Sequence, residues 1–435
     1  MERFALSRMK EWKENENRKP LIIRGARQVG KTWIMKTFGQ QYFEKTAYVN
    51  FDNNARMKQV FEGDLDIERL VLAISAETGV SIEAENTLII FDEIQEVPKA
   101  LTSLKYFHEN APQYAIVAAG SLLGVALHQG TSFPVGKVDF LDLYPLNFRE
   151  FLCAMGEKQF VSMLDSCDTQ MVTVFKTKYI ERLREYYFVG GMPEVVKDFS
   201  EKKDYNRVRV IQKNLINYYQ QDFSKHAEIK LVPRLNLVWN SIPMQLAKEN
   251  KKYIYGQVRE GSRAKDFELA IQWLLDCGLI HKVQRIQKPD LPLKAYIDFD
   301  AFKLFLVDIG LLIAMTDLDA KVIIEGNKIF TEFNGSLTEQ YILQQLISDV
   351  GVIPYYYSTQ NSKGEIDFLV QGKTSVIPIE VKAEENLKAK SLKAFCEKYQ
   401  PSYAVRTSMS DYREQDWMTN IPLYAVKWIK NYVNQ

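Results

Sequence analysis

The sequence predicts an α/β fold in which a parallel sheet with crossover helices is followed by a helical region and a second, smaller α/β domain. Three observations predict it. Short apolar strands alternate with helical stretches over residues 1–150, a glycine-rich turn follows the first of these strands, and two apolar strands joined by a turn lie near the C-terminus. Alternating strands and helices are typical of a parallel sheet, because each helix returns the chain to the same end of the sheet.

The elements of the first region can be placed from their apolar patterns. Short apolar runs predict strands at Leu21–Ile23, Ala47–Phe51, Leu88–Phe91, Ala115–Ala119 and Val138–Leu146. Helical stretches are predicted at Trp33–Phe38, Ile67–Thr78, Ala100–Asn110 and Asn147–Leu152. Further along, Gly190–Pro193 interrupts a mostly helical pattern, which indicates either a hinge or a simple interhelical turn.

Composition excludes several classes of protein. The 435 residues are 26% charged and 46% hydrophobic with a formal net charge of +1, so no overall field favours a nucleic acid or a membrane surface. No apolar run reaches the ~18–20 residues that a membrane span needs, and the N-terminus lacks the apolar core of a signal peptide. The four cysteines are scattered and form no C-x-x-C pair. We expect a cytoplasmic protein without a membrane partner.

The glycine-rich turn after the first strand fits the pattern G-x-x-x-x-G-K-S/T. Its residues are Gly25, Ala26, Arg27, Gln28, Val29, Gly30, Lys31 and Thr32. In such a loop the backbone N–H groups and the positive end of the following helix dipole point at phosphate oxygens. Lys31 would reach the β- and γ-phosphates, and the Thr32 hydroxyl would complete a Mg²⁺ shell. The alternative is an ordinary turn with a surface lysine.

Two carboxylates end the apolar strand Leu88–Phe91. Ligands of open α/β sheets bind at the carboxyl ends of the strands, so Asp92 and Glu93 are expected beside the phosphates. Asp92 would hold the Mg²⁺ or its water, and Glu93 would activate the attacking water as a general base. The alternative is a strand that ends in solvated acids.

Residues 231 to about 285 fit a winged-helix unit. A helix is predicted from Arg263 to Cys277, capped by Ser262 and ended by Gly278, and Leu279–Val283 would be the first wing strand. The basic residues around this helix could contact DNA phosphates: Lys248, Lys251, Lys252, Arg259, Arg263 and Lys265. Winged helices also serve as protein-interaction modules, so both alternatives remain open here.

A second set of charged residues lies on a predicted hairpin near the C-terminus. Gly364–Val370 and Val376–Lys382 read as strands, with a turn between them. Glu380 and Lys382 are two residues apart and face the same side, and Asp367 on the neighbouring strand can reach them. With Glu339 from an upstream helix, these residues predict a second Mg²⁺ site with a lysine beside it. The alternative is a solvated sheet face with salt-bridged charges.

Taken together, the motifs resemble a family of bacterial and archaeal AAA-type P-loop ATPases with a C-terminal region of unassigned function that ends in a PD-(D/E)XK nuclease-like fold. Beyond the residues above, the resemblance rests on four short sequence segments: Phe133–Val138, Leu143–Phe148, Gly190–Glu194 and Leu304–Leu311. Ile366 stands where the nuclease signature has proline, and Lys137 stands where many relatives have arginine. The resemblance implies that Ser121, at the tip of the strand after Asp92, senses the γ-phosphate.

The resemblance divides the chain into four predicted segments. Residues 1–150 form a P-loop AAA-type ATPase domain, 151–230 a helical region, 231–320 a winged-helix-like region and 321–435 a small restriction-endonuclease-like α/β domain. It implies ATP and Mg²⁺ as cofactors. The arginine that would complete the site in a homo-oligomer is unassigned, and the candidates are Arg149, Arg182 and Arg184.

Three functions are compatible with these residues. The first is an ATPase that uses Lys31, Thr32, Asp92 and Glu93, with Ser121 as sensor. The second is a nucleotide-controlled switch or scaffold, acting on an unknown protein partner, whose nuclease-like domain is non-catalytic. The third is a DNA-processing enzyme in which the ATP state controls handling of double-stranded DNA at the C-terminal site.

Overall fold

The computed structural model describes residues 1–120, 133–248, 251–325, 331–359, 364–384 and 389–435, and the side chains of 331–333 are not described. The chain divides into two compact units. The N-terminal unit comprises Glu2–Tyr144 and Asp276–Leu279, and the C-terminal unit comprises Met1, Pro145–Leu275 and Ile280–Gln435.

The N-terminal unit contains a five-stranded parallel sheet in the order β2-β3-β4-β1-β5. Its strands are β1 (Leu21–Arg24), β2 (Lys45–Asn50), β3 (Thr87–Asp92), β4 (Ala115–Ala119) and β5 (Asp139–Asp142). All five predicted strands are therefore observed, the last one shorter than expected. The central strands β3 and β4 are buried along their whole length, which explains their continuous apolar sequences.

Helices cover this sheet. They are α1 (Ala5–Glu14), α2 (Lys31–Tyr42), α3 (Ala55–Glu62), α4 (Ile67–Thr78) and α5 (Pro98–Asn110). Helix α4 has the predicted bounds because its sequence carries both a start signal and a stop signal. The Asp66 side chain caps the first turn by accepting from Arg69 N, and Gly79 ends the helix with a left-handed φ of 69°. Phe51, Phe61 and Phe91 pack edge to face in the core between the sheet and these helices.

The C-terminal unit is mostly helical in its first half, and further helices lie between and after the strands of its sheet. Its helices are α6 (Phe148–Ala154), α7 (Lys158–Asp165), α8 (Thr169–Val174), α9 (Lys176–Val189), α10 (Pro193–Lys202), α11 (Tyr205–His226), α12 (Val232–Leu246), α13 (Tyr255–Val258), α14 (Ala264–Asp276), α15 (Ile309–Met315), α16 (Ala320–Ile324), α17 (Thr331–Gln345), α18 (Lys390–Tyr399) and α19 (Ile429–Val433). Helix α6 begins at Asn147, whose side chain forms a reciprocal capping box with Glu150. Helix α14 matches the helix predicted before the first wing strand.

An eight-stranded mixed sheet forms the second half, in the order β12-β13-β11-β10-β9-β8-β6-β7. Its strands are β6 (Ile280–Ile286), β7 (Ile297–Leu306), β8 (Tyr355–Ser358), β9 (Glu365–Gln371), β10 (Val376–Val381), β11 (Val405–Ser408), β12 (Arg413–Gln415) and β13 (Met418–Pro422). The predicted hairpin is observed, because β9 and β10 pair antiparallel. The expected wing strand β6 pairs with β7 and, in parallel, with β8, so it belongs to the same sheet as the hairpin.

The double glycine between α9 and α10 is a site of close packing. A Cβ on Gly190 would lie 2.2 Å from Asp308 Oδ1, and one on Gly191 would lie 2.1 Å from Leu146 O. Gly191 N donates to Asp308 Oδ2 (2.6 Å), and Leu146 N donates to Gly191 O (2.7 Å). Leu146, the Gly190–Gly191 pair and Asp308 come from three of the sequence segments on which the family resemblance rests, and they pack together at one buried junction. The packing favours a fixed interhelical turn over a hinge.

Within the described ranges, no helix combines the length and the hydropathy that crossing a membrane requires.

Candidate functional site

The phosphate-binding loop lies between β1 and α2 and depends on backbone shapes that suit glycine. Gly25 has φ 145° and Gly30 has φ 93°. A Cβ on Gly25 would lie 2.1 Å from Leu143 O, so this position needs glycine for space as well as for backbone angle. Gln28 also adopts a positive φ, of 63°. The loop delivers the chain to the N-terminus of α2, where Lys31 and Thr32 are the first helical residues.

Lys31 is held inside the loop. Its side chain is buried, and Nζ donates to Gly25 O (2.8 Å) and to Ala26 O (2.7 Å). Burial lowers the pKa of Lys31 to about 8, against the opposing effect of the nearby Glu93 and Asp92 carboxylates. The partners of the ammonium are thus neutral carbonyls, and a bound phosphate would give it an anionic partner.

The Thr32 hydroxyl and the Asp92 carboxylate meet across the end of the sheet. Thr32 Oγ1 donates to Asp92 Oδ2 (2.7 Å), and Tyr48 OH donates to the same oxygen (2.9 Å). The other oxygen, Oδ1, accepts from Glu93 N (3.1 Å). A hydroxyl next to a carboxylate is an oxygen donor pair of the kind that Mg²⁺ prefers, so these residues fit a magnesium ion beside the loop.

Glu93 begins a short 3₁₀ turn, Ile94–Glu96, with a left-handed φ of 51°. Its Oε2 accepts a hydrogen bond from Gln95 Nε2 (2.7 Å). A non-glycine residue in this region of φ is uncommon and is found at functional sites. Lys31, Thr32, Asp92 and Glu93 are therefore near one another, as the motifs predict.

Sequence reasoning missed three residues of this site. They are Tyr48 and Gln95, described above, and Arg3, whose guanidinium donates to Val29 O (3.0 Å) and to Tyr144 O (2.6 Å). Tyr48 lies on β2, next to β3 in the sheet, so its position follows from strand register and not from a motif. Gln95 lies only two residues after Glu93, and this closeness in the chain was the feature of the sequence that could have indicated Gln95 as a site residue. The predicted sensor, Ser121, lies outside the described residues.

The arginine candidates have partners within the C-terminal unit. Arg149 is buried and forms ion pairs with Asp349 (2.7 Å) and Asp165. Arg182 pairs with Glu157 (2.7 Å) and Glu185 (2.8 Å). Arg184 donates to a backbone carbonyl, Ile324 O (3.4 Å). The two carboxylate-paired arginines thus have evident structural roles.

The predicted C-terminal site divides into two groups of charges. In the first, Lys382 Nζ lies 2.7 Å from Glu380 Oε1. In the second, the Asp367 and Glu339 carboxyl groups are close enough to influence each other's pKa. Asp367 Oδ2 also accepts from Val381 N (2.7 Å), on the strand that carries Glu380. The structure therefore brings all four predicted residues to one region of the sheet.

Two lysines that the motif search did not place here neutralise the second group. Lys251 and Lys303 both form ion pairs with Glu339, the latter at 3.6 Å, and Lys303 also pairs with Glu365. We call Lys251, Lys303, Glu339, Glu365 and Asp367 the charge cluster. The signal for Lys303 was a single lysine inside the apolar strand β7.

Burial and pairing move the pKa values of the charge cluster in different directions. Burial and the adjacent Glu339 raise the pKa of Asp367 to about 7. Burial would also raise the pKa of Glu339, but the Lys251 and Lys303 ammoniums outweigh it and the pKa lies below its ordinary value. Burial opposes the charge of Lys303, yet its carboxylate partners raise its pKa above the ordinary value.

One member of the predicted DNA surface is placed differently from the expectation. Lys251 has a side chain that is 11% exposed and pairs with Glu339, so it does not present a charge to a phosphate backbone. Three others, Arg259, Arg263 and Lys265, are exposed at the start of α14 and just before it. Lys248 and Lys252 are half-buried.

Neither site presents three histidine, cysteine or carboxylate side chains arranged to hold a metal, and the same is true throughout the described part of the chain. At the nucleotide site this agrees with the chemistry of the motif, in which a hydroxyl, one carboxylate and phosphate oxygens share the ion. At the C-terminal site it limits the ligands to fewer protein carboxylates than the motif suggested.

Known families match three parts of the chain. Residues 17–152 match a family described as an AAA domain. Residues 180–322 and 334–426 match domains of unknown function, DUF8612 and DUF4143. Neither of these two matches gives the C-terminal unit a nuclease identity. A comparison with curated proteins found no match.

Solved structures also resemble the chain. A Walker-type ATPase of Pyrococcus abyssi is 14% identical, with 72% of this chain and 95% of that chain covered and a TM-score of 0.45. An ORC1 protein of Aeropyrum pernix, solved in complex with DNA, is 14% identical, with 72% and 91% covered and a TM-score of 0.27. Cdc6p of Pyrobaculum aerophilum is 11% identical, with 74% and 93% covered and a TM-score of 0.25.

The loop, the Asp92–Glu93 strand end and the AAA match agree, and residues 17–152 form an AAA-type domain of the P-loop ATPase class.

Proposed function

We propose that this protein binds ATP with Mg²⁺ and hydrolyses it. The observation that carries the proposal is the 2.7 Å hydrogen bond between Thr32 Oγ1 and Asp92 Oδ2, directly after the phosphate-binding loop. Two residues from separate elements thus form an oxygen pair where the ion of a bound nucleotide would lie. Thr32 and Asp92 would hold Mg²⁺, which would neutralise the charge that develops on the phosphates during transfer.

Each residue of the site has a role in this proposal. The loop N–H groups bind phosphate oxygens, and Lys31 exchanges its carbonyl partners for the β- and γ-phosphates. Thr32 and Asp92 hold the ion or its water. Glu93 accepts the proton of the attacking water, whose oxygen bonds to the γ-phosphorus while the bond to the bridging oxygen of ADP breaks. Ser121 would contact the γ-phosphate.

Phosphate release by the purified chain tests the proposal. We expect turnover with ATP and Mg²⁺, loss of turnover in EDTA, and loss of both binding and turnover in Lys31→Ala. Lys10→Ala, an exposed lysine of α1, is the matched control and should behave as wild type. ATP binding unchanged in Lys31→Ala would overturn the proposal.

A second function, metal-dependent processing of double-stranded DNA, is favoured by one feature of the C-terminal site. Glu380 Oε2 is buried and has no hydrogen-bond partner among the described residues, while Oε1 pairs with Lys382. A buried carboxylate oxygen without a donor suits a cation. Glu380 and Asp367 would hold Mg²⁺, which would help to deprotonate a water, and Lys382 would stabilise the resulting hydroxide. The hydroxide oxygen would bond to phosphorus while the bond from phosphorus to one sugar oxygen breaks.

The alternative is a nucleotide-controlled switch or scaffold with a non-catalytic C-terminal unit, and it is supported by the internal pairing of the charge cluster. Nicking of supercoiled plasmid with Mg²⁺ or Mn²⁺, with and without ATP, separates the two. Metal-dependent nicking that disappears in Glu380→Ala/Lys382→Ala would establish DNA processing. Absence of nicking by protein that hydrolyses ATP would establish the switch.

A further inference from the structure

Only one of the two polar atoms of the Gln95 carboxamide has a hydrogen-bond partner among the described residues. Its Nε2 donates to Glu93 Oε2 at 2.7 Å. Its Oε1 is buried and has no hydrogen-bond partner among the described residues. Buried acceptors are almost always satisfied by protein or by ordered water, so an acceptor without a donor needs an explanation.

The orientation of this amide follows from chemistry. An ionised carboxylate only accepts hydrogen bonds, so the NH₂ end of Gln95 must face Glu93. Rotating the amide would place Oε1 against a carboxylate oxygen and lose the bond. The NH₂ end of Gln95 therefore faces Glu93 Oε2, and the carbonyl oxygen Oε1 faces away from that carboxylate oxygen.

A short, rigid turn carries both side chains. Glu96 N donates to Glu93 O (3.0 Å) and Val97 N donates to Ile94 O (3.1 Å), while the Ile94 side chain is buried in the core. The turn begins at the residue after Asp92, so the pair is anchored beside the oxygen pair proposed to hold Mg²⁺. Its left-handed start at Glu93 fixes the direction of that side chain.

We propose that Gln95, together with Glu93, orients the water that attacks ATP; this rests on the ATPase function proposed above. The water donates one hydrogen to the Glu93 carboxylate and the other to Gln95 Oε1. Its lone pair then faces the γ-phosphorus. A P–O bond forms, the bond to the β–γ bridging oxygen breaks with its electron pair remaining on ADP, and the water proton passes to Glu93, which yields ADP and phosphate.

This role assigns a donor to the unsatisfied oxygen and explains why the amide is held by the general base itself. A glutamine that only stiffened the turn would need one hydrogen bond. The burial of its second polar atom would then lower stability by the desolvation free energy of an unsatisfied oxygen. A water has two hydrogens, and the Glu93–Gln95 pair supplies an acceptor for each. Both protein groups are positioned before the substrate binds, which lowers the entropic cost of placing the water.

Single substitutions distinguish this role from a structural one. Gln95→Met keeps the length of the side chain and removes the amide. We expect kcat to fall by about 10²-fold while the ATP Kd changes by less than about threefold, because the amide contacts the water and not the phosphates. Gln59→Met, on the exposed face of α3, is the matched control and should leave both quantities unchanged.

A second variant covers the case in which Gln95→Met fails to fold, as judged by circular dichroism. Gln95→Ala truncates the side chain and removes the amide acceptor without placing a charge beside Glu93. We expect the same selective fall in kcat. A kcat within threefold of wild type in a folded variant would overturn the role of Gln95.

The double substitution Glu93→Gln/Gln95→Met tests whether the two residues act as a unit. If both orient one water, adding Gln95→Met to Glu93→Gln should lower kcat by less than about threefold further. Independent, multiplying losses would contradict the proposal. The underlying ATPase function fails separately, because wild type with no more phosphate release than Lys31→Ala would overturn that function whatever Gln95 does.

Discussion

The nucleotide site and the charge cluster use the same residue types in opposite ways. Lys31 donates to two neutral carbonyls, and Asp92 accepts from the hydroxyls of Thr32 and Tyr48. In the charge cluster, both lysines pair directly with carboxylates, including Glu339. The charged groups of Lys31 and Asp92 therefore have neutral hydrogen-bond partners. A cluster whose charges are paired with one another is complete without a ligand.

The largest effect is expected where this pairing is broken. Lys303→Met should lower the free energy of unfolding by about 3–5 kcal/mol, because it removes the cation of Glu365 and leaves the buried Glu339 with Lys251 alone. Urea denaturation followed by tryptophan fluorescence measures it. Lys282→Met, an exposed lysine on the adjacent strand, is the control and should cost less than about 1 kcal/mol.

Restoring charge balance sharpens that test. Lys303→Met/Glu365→Gln should recover part of the lost stability, since it removes the carboxylate that Lys303→Met leaves without its lysine. A single variant as stable as wild type would mean that the cluster charges are not interdependent.

The buried Asp308 gives a pH-dependent difference within the C-terminal unit. Burial raises its pKa to about 6, against opposing hydrogen bonds from Gly191 and Leu311. Since the folded pKa is above the unfolded value of 3.8, folding binds a proton here at intermediate pH. Its stabilisation is full below pH 3.8 and is lost as pH rises through 6, by about 3 kcal/mol in total.

Comparison with Asp308→Asn isolates this titration. The stability of wild type minus that of the variant should fall by about 2.5 kcal/mol between pH 4 and pH 7, on top of a constant offset from the altered hydrogen bonds. Asp300→Asn, at an exposed carboxylate, should give a flat difference. A flat difference for Asp308→Asn would show that this carboxyl ionises normally.

At the nucleotide site a smaller chemical change should affect function alone. Thr32→Val removes the hydroxyl that meets Asp92 and should lower Mg²⁺-dependent turnover by about 10²-fold, while the unfolding midpoint stays near that of wild type. Thr37→Val, further along the same helix, is the control. Equal losses of turnover in both variants would contradict the proposed role of the Thr32 hydroxyl in holding Mg²⁺.

The smallest effect concerns the exposed basic residues near α14. If Arg263 and Lys265 contact DNA phosphates, replacing both by alanine should reduce the slope of log K against log salt by about 2, measured by fluorescence anisotropy on duplex DNA. Lys197→Ala/Lys230→Ala, at exposed positions elsewhere in the unit, should leave the slope unchanged. Equal slopes in all three proteins would exclude this surface.

The sequence indicates the loop and the strand-end acids directly, because each of these two motifs is a short run of neighbouring residues. An apolar strand, a glycine loop and a helix start specify Lys31 and Thr32 locally. Tyr48 was missed, since its hydroxyl meets Asp92 only through the parallel register of β2 and β3, in which Tyr48 lies opposite Ile90. No local pattern encodes that register.

The C-terminal site was predicted in part for the same reason. The hairpin and its acids follow from alternation and a turn, so Asp367 and Glu380 were found. The lysines that neutralise Glu339 come from other elements, and one of them, Lys251, was assigned to a DNA surface. Ion-pair partners distant in sequence depend on tertiary packing, which hydrophobic periodicity does not specify.

The central claim is that the N-terminal unit hydrolyses ATP through Glu93, and Glu93→Gln tests it most directly. The variant keeps the size of the side chain and removes the proton acceptor. We predict ATP affinity within about threefold of wild type and single-turnover hydrolysis slowed by about 10²- to 10³-fold. Hydrolysis at the wild-type rate with ATP bound would contradict the claim.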